Sequence, residues 1–167
     1  SERGGAAGYR DHVEEVVGQF NHVPLHDEIW VRETPHSSLP SHEFLCAVRL
    51  LEAAGQVAKG SFDDAAWRVR QAFFRDLVDV SRRAALLRVG AEAGLPVAAI
   101  AELLDSGAAH AALAADLELA REHDVRASPT LIFNDGRQRL TGNVGYRIIE
   151  ANVRELLDRP SGQNSWC

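Results

Sequence analysis

The chain has 167 residues, 46% of them hydrophobic and 25% charged, and this balance predicts one globular domain, neither disordered nor fibrous. Its formal net charge of −6 argues against non-specific nucleic-acid binding, which needs a basic surface. No run of about eighteen apolar residues occurs, so we expect no membrane-spanning segment.

Two cysteines, Cys46 and Cys167, are too few and too far apart to form a disulfide framework. Cys46 lies in an apolar stretch and is predicted to be a buried, inert core residue. Cys167 is the last residue and is predicted to be a mobile free thiol. With no signal-peptide pattern in the sequence, we expect a cytoplasmic protein.

The first third of the chain predicts two helices and a connection. Tyr9 to Phe20 has the spacing of an amphipathic helix, which Pro24 ends. His26 to Glu33 is predicted to be irregular or extended. After a serine cap, a helix of about Leu39 to Ala58 is apolar on most sides, which predicts a central, buried position.

Further helices are predicted up to residue 124: Asp63–Val78, Asp79–Ala93, Pro96–Leu104 and Ala109–His123. Trp67 is predicted to anchor the first of these in the core. Gly94 suits a left-handed cap at the end of the second.

The clearest pattern is a β-hairpin near the C-terminus. Thr130 to Phe133 is a short β-branched and apolar run, and Asn134-Asp135-Gly136 supplies residues that tolerate positive φ. Gln138 to Thr141 is the predicted return strand, and an amphipathic helix from Tyr146 to Leu157 follows. Ser128-Pro129 stands directly before the first strand, where a proline is tolerated.

The segments V-x-x-S-P-T-L-I-F and L-T-G-N-V-G-Y, with the closing helix, resemble the DsbA-like proteins of the thioredoxin fold. The resemblance implies a mostly helical α/β, thioredoxin-like fold with an inserted helical domain. Of the thioredoxin-like part of this fold, only the C-terminal hairpin and the helix that follows it are evident in the sequence. It divides the chain into a lead-in (1–37), the helical insertion (38–124), the C-terminal thioredoxin-like part (125–159) and a tail (160–167).

The resemblance also implies a function and a site. Pro129 would be cis, the backbone of Ser128 would pair with an extended substrate, and Thr130 would border the same site. The activity implied is that of a bacterial-type disulfide oxidoreductase or isomerase, acting on a protein or small-molecule thiol or disulfide. The family's CxxC motif does not occur in the sequence. We therefore expect a truncated or degenerate member, whose catalytic residues are unknown.

Two alternatives stay open. One is a glutathione-dependent isomerase or transferase of the kappa and hydroxychromene-carboxylate type, which shares the helical insertion but uses serine at the thiolate position. The other is a redox-inactive thioredoxin-like binding module. Sequence upstream of Ser1 would decide among them: a CxxC supports the first reading, a serine the second and neither the third.

Other chemistry finds little support. The sequence has no nucleophile elbow, P-loop or dinucleotide glycine fingerprint, so we expect no cofactor. His22, His26 and His36 are close in sequence, but Pro24 breaks any helical spacing between them, so we expect no metal.

The hairpin also raises a question of stability. The outer edge of Thr130 to Phe133 would expose unpaired backbone groups, and a two-stranded hairpin is marginal in water. We expect a cover for this edge: a second copy in a homodimer, further polypeptide, or Val23 to Arg32 folding back as a strand.

Overall fold

The computed structural model describes residues 5–20, 24–32 and 34–160, with side chains described from residue 8 onward. The elements in these residues are α1 (Gly5–Val17), α2 (Leu39–Ala53), α3 (Ser61–Phe74), α4 (Arg83–Glu92), α5 (Val97–Asp105), α6 (Ala108–Glu122), β1 (Thr130–Phe133), β2 (Gln138–Thr141) and α7 (Tyr146–Asp158). The chain forms two compact units, Ser1–Ala114 and Ala115–Cys167, and the division falls inside α6. The four-part division given above stays a prediction.

The core of the first unit forms around α2, which confirms its predicted central position. Phe44, Val48 and Leu51 of this helix are buried. They belong to one cluster with buried side chains of α3, α4 and α5, among them Phe73, Leu86 and Ile100. Gly90 of α4 lies so close to α2 that a Cβ added there would meet the Phe44 ring at 3.3 Å.

Local signals explain where the central helices begin and end. Ser37 Oγ accepts the N–H of Leu39 at the start of α2, as we predicted for the serines that precede this helix. The helix ends at Ala53, five residues earlier than expected, and Gly55 follows with φ of +69°. Glu52 Oε2 accepts the N–H of Phe62, which caps the first turn of α3. Gly94 follows α4 with φ of +71°, the left-handed conformation predicted for it.

One predicted core residue is wrong. Trp67 of α3 is 51% exposed, whereas Phe73 on the same helix is buried. The connection before α2 instead supplies Ile29, which is completely buried in the core cluster. Trp30 beside it packs edge-on against Phe73, with ring centroids 5.0 Å apart.

A carboxylate organises the turn that precedes α4. Asp79 Oδ1 accepts hydrogen bonds from the N–H and the hydroxyl of Ser81, and Asp79 Oδ2 lies 2.8 Å from Nε of Arg82. The Asp79 side chain is only 14% exposed. These contacts, with the Ser81 hydroxyl first, hold the pKa of Asp79 below its ordinary value.

We expect Asp79→Ala to lower the free energy of unfolding by about 1 kcal/mol at neutral pH, the net worth of such hydrogen bonds. Because folding lowers this pKa, the contribution is complete above the unfolded value of about 3.9 and is lost as the pH falls through the folded value. Urea unfolding at a series of pH values measures it. The control Asp64→Ala, which breaks an exposed pair with Arg68, should change stability less. A wild-type advantage that grows on acidification would contradict this account.

The second unit holds the end of α6, the hairpin and α7. The two strands are antiparallel, with Thr130 opposite Thr141 and Phe133 opposite Gln138, so both strands have the predicted bounds. The Arg139 guanidinium donates to the carbonyl oxygens of His123 and Asp124, which ties β2 to the end of α6. Arg137 Nη1 donates to the carbonyl of Arg159, just after α7, at 2.5 Å.

The sheet of the described residues contains β1 and β2 only, so the outer edge of β1 has no neighbouring strand there. The third expected cover, Val23 to Arg32 folding back as a strand, is wrong for the residues of this segment that the structure describes. Ile29 is buried in the helical core, and the N–H of His26 donates to the carbonyl of Phe74 at 2.8 Å. The Ile29 side chain is completely buried in this core, which removes its apolar surface from water.

No single helix in the described part of the chain is long and apolar enough to cross a membrane. The helices α5 and α6, which are bent at the break between them, have the length and composition of a membrane span only when they are taken together. Its side chains Ile100, Ala109 and Leu113 belong to the core of the first unit.

Candidate functional site

The predicted site is the loop that enters β1. The peptide bond between Ser128 and Pro129 is cis, as the resemblance implied. Both residues are exposed, and Thr130 is half-buried. Thr130 Oγ1 donates to the carbonyl of Ala127 at 2.6 Å, and the N–H of Gly142 donates to the carbonyl of Pro129 at 2.8 Å. Hydrogen bonds to the carbonyl groups of Ala127 and Pro129 therefore hold the loop in place. Ser128, which lies between these two residues, stays accessible.

The strand register shows which backbone groups face outward. The hydrogen bond from Gly142 to Pro129 makes these two residues a hydrogen-bonded pair. Such pairs alternate along an antiparallel ladder, so Thr130 and Ile132 are in non-hydrogen-bonded positions opposite Thr141 and Arg139. Their N–H and C=O groups therefore point to the open edge of β1. Within the described residues, no hydrogen bond uses the backbone of Ser128 at the start of this edge.

A shallow concavity of about 240 Å³ adjoins the loop. Its lining is formed by Asp124, Arg126, Ala127, Thr130, Arg139 and Thr141. Arg126 Nε lies 2.7 Å from Asp124 Oδ1, and Arg139 is directed to backbone carbonyls. Thr130 was predicted here from the resemblance, whereas the charged residues were not. No motif marks them, because only the packing of β2 on the end of α6 brings them together.

Of the two cysteines, the structure describes Cys46 only. Cys46 is 5% exposed within α2, which confirms its predicted burial, and Arg49 Nη2 lies 3.7 Å from its Sγ. The predicted reactive thiol, Cys167, lies outside the described residues. Thiol–disulfide exchange needs an accessible thiolate, so Cys46 is unsuited to it in the folded state.

We expect Cys46, in a Cys167→Ser variant, to react with a thiol reagent at least about a hundredfold more slowly in the native than in the unfolded chain, because labelling a core helix requires its opening. Mass spectrometry of the labelled protein over time, with and without urea, measures the ratio. The wild-type chain, with Cys167 present, is the comparison. Equal rates for Cys46 in both states would show that α2 does not hold this thiol in the core.

A second group of polar side chains lies in the connection before α2. Ligand atoms of His26, Asp27 and Glu28 lie within 4.8 Å of one another. His26 Nδ1 accepts the N–H of Glu28 at 3.1 Å and lies 3.0 Å from Asp27 Oδ1. Contacts within the turn account for this grouping, and we assign no metal to it. His22, predicted from the sequence to be no ligand, lies outside the described residues.

An antiparallel hairpin followed by a closing helix, in a mostly helical chain, is the arrangement expected for the C-terminal part of a thioredoxin-like fold. The comparisons with known proteins agree. A family profile described as thioredoxin matches residues 63–152, more than half of the chain. The crystal structure of a "putative protein disulfide isomerase" from Nitrosomonas europaea superimposes with a TM-score of 0.71 at 21% sequence identity, covering 93% of this chain and 74% of the other. No curated protein gives a significant match.

The chain belongs to the thioredoxin family. The profile extends from α3 to the middle of α7 and so includes helices of the first unit as well as the hairpin. The predicted fold class, mostly helical and thioredoxin-like, is confirmed. The solved structure shows the same fold at low identity, so it adds nothing on activity.

Proposed function

We propose that this chain is a DsbA-like thiol–disulfide oxidoreductase component, and that the loop Ser128-Pro129-Thr130 binds its thiol or disulfide substrate. Membership in the thioredoxin family and the resemblance of the hairpin motifs support the proposal. The observation that carries it is the exposed backbone of Ser128, which is unpaired among the described residues at the head of an open strand edge.

Backbone pairing suits a substrate that varies in sequence. An extended peptide that adds to a strand edge gains main-chain hydrogen bonds, whatever its side chains are. The hydroxyl of Thr130 is already engaged with Ala127, so it fixes the loop and leaves the peptide groups of Ser128 to the ligand. The small side chain of Ser128 leaves room for a sulfur-bearing residue beside Pro129.

The loop is assigned a binding role. Exchange proceeds by attack of a thiolate on a disulfide sulfur, which forms a mixed disulfide that a second thiol resolves. The sequence has no CxxC, and Cys46 is buried. The named residues therefore position the substrate backbone, and neither the nucleophile nor the resolving thiol is among them.

Amide shifts in ¹⁵N-labelled protein test the proposal directly. The probe is an extended hexapeptide with a central S-methylcysteine, titrated beside an analogue that is N-methylated at the residue expected to donate to the carbonyl of Ser128. We expect the first peptide to shift the amides of Ser128 and Thr130, and the analogue to bind at least about tenfold more weakly, as loss of a hydrogen bond in a desolvated site implies.

Reduced glutathione is the third probe. Shifts at Ser128 with the peptide, and weaker ones with glutathione, support a protein substrate. The reverse order would move the assignment to a glutathione-using enzyme. The absence of any shift at residues 126–130, or equal binding of the N-methylated analogue, would refute the site.

A further inference from the structure

The turn that follows α6 leaves two carbonyl groups without a backbone partner. Asp124 has a φ of +47°, and the N–H groups of Val125 and Asp124 donate to the carbonyls of Ala120 and Arg121 at 2.8 and 2.9 Å. This is the Schellman arrangement of a helix end, which satisfies two carbonyls of the last turn. The carbonyls of His123 and Asp124 lie beyond it, and no backbone N–H of the described residues donates to them.

One side chain of the hairpin satisfies both of these carbonyls. Arg139 of β2 donates from Nη1 to the carbonyl of Asp124 at 3.2 Å and from Nη2 to the carbonyl of His123. Arg139 lies opposite Ile132 in the ladder, so its side chain is on the sheet face that also carries Thr130. A cation is favourable at this position, because the carbonyls at a helix C-terminus carry partial negative charge.

These two hydrogen bonds fix one end of the segment that leads to the candidate site. Residues 125–129 connect the turn after α6 to β1, and at their other end the N–H of Gly142 donates to the carbonyl of Pro129 at 2.8 Å. Ser128 lies between the two fixed points, and its backbone has no hydrogen bond within the described residues. The conformation of Ser128 therefore depends on how both ends are held. A segment that is already ordered loses less conformational entropy when a ligand binds to it.

We propose that Arg139 is a positioning residue of the substrate site, which holds the peptide groups of Ser128 in the orientation that an extended substrate needs. This inference rests on the proposed function and adds to it a residue outside the loop. Arg139 is on β2, away from the open edge of β1, so it acts through the carbonyls of His123 and Asp124. It controls the orientation of Ser128 and makes no contact with the substrate.

The S-methylcysteine hexapeptide and its N-methylated analogue are the probes, and the amide shift of Ser128 reports their binding. We expect Arg139→Gln to bind the peptide at least about tenfold more weakly than the wild-type chain does, since the loop must then become ordered on binding. We also expect the preference for the peptide over the analogue to fall to about threefold or less, because the carbonyl of Ser128 is no longer held toward the substrate. A loss of overall stability alone would not change this preference.

Two further variants separate positioning from other effects. Arg139→Lys should bind the peptide within about threefold of the wild-type affinity, because an ammonium group also donates to both carbonyls. The matched control Arg154→Gln removes an arginine that is paired with Glu150 on α7, and it should bind as the wild-type chain does. Hydrogen exchange at Leu131 and Leu140, which are opposite each other in the ladder, shows whether the hairpin is intact in each variant.

The outcomes distinguish this inference from the function on which it rests. Wild-type affinity in Arg139→Gln, no recovery of binding in Arg139→Lys, or fast exchange of Leu131 and Leu140 in Arg139→Gln would each overturn the positioning role and leave the proposed function in place. Failure of the wild-type chain to bind the peptide would refute the proposed function, and the role of Arg139 with it.

Discussion

Replacing Phe44 with alanine is expected to lower the free energy of unfolding by about 3–5 kcal/mol, the usual cost of deleting a buried aromatic ring. Phe44 has no exposed surface and lies at the centre of the α2 cluster. Gly90 and Ile100 line the same point from α4 and α5. The cavity left behind cannot close easily, because the helices that border it are held by the rest of the core.

Denaturant unfolding followed by circular dichroism measures this loss, and the midpoint should move without a change in slope. Leu39→Ala is the matched control, since Leu39 is exposed on the first turn of the same helix. That variant should change stability by less than about 0.5 kcal/mol, as surface substitutions usually do. A Phe44→Ala effect below about 1 kcal/mol would show that the helical core is not packed around α2.

The hairpin was predictable to the residue because its signals are local. A β-branched run fixes β1, and Asn134, Asp135 and Gly136 all have the positive φ that their residue types tolerate. The helix ends were harder to place. The apolar pattern of α2 continues beyond Ala53, but the left-handed conformation of Gly55 ends the helix there. The periodic pattern shows which residues are apolar. The end of the helix, however, depends on a backbone angle, here the φ of Gly55.

Burial depended on tertiary contacts that a sequence pattern does not contain. Trp67 and Phe73 are both aromatic residues of α3, yet only Phe73 faces the core. Ile29 lies in the connection between α1 and α2, and its burial follows from its contact with the helical cluster. The candidate site also contains residues that the sequence could predict and residues that it could not. The loop at Ser128-Pro129 was predicted by resemblance to a motif, whereas Asp124 and Arg139 beside it come together only because β2 packs on the end of α6.

The second unit is incompletely buried. No side chain in residues 115–160 is fully buried, and on α7 Tyr146 and Leu157 are each 74% exposed. On β1, Leu131 is 37% exposed beside the open edge. A unit of this size without a buried core is not expected to be stable by itself. An exposed apolar strand edge also invites pairing with another chain.

We therefore expect the purified chain to associate through the open edge of β1. The edge is self-complementary: in an antiparallel pair of two copies, Thr130 of one can exchange both hydrogen bonds with Ile132 of the other.

Ile132→Pro tests the edge, because it removes an outward N–H and leaves the hydrogen bonds to β2 intact. We expect the wild-type chain to sediment as a dimer and the variant as a monomer. The matched control is Thr141→Pro, whose lost N–H faces away from β1, and it should still dimerise. Hydrogen exchange should show slow amides at Thr130 and Ile132 in the wild-type chain. A monomeric wild-type chain in which both amides exchange quickly would rule out pairing at this edge, and the stability of the hairpin would then have to come from the packing of α7.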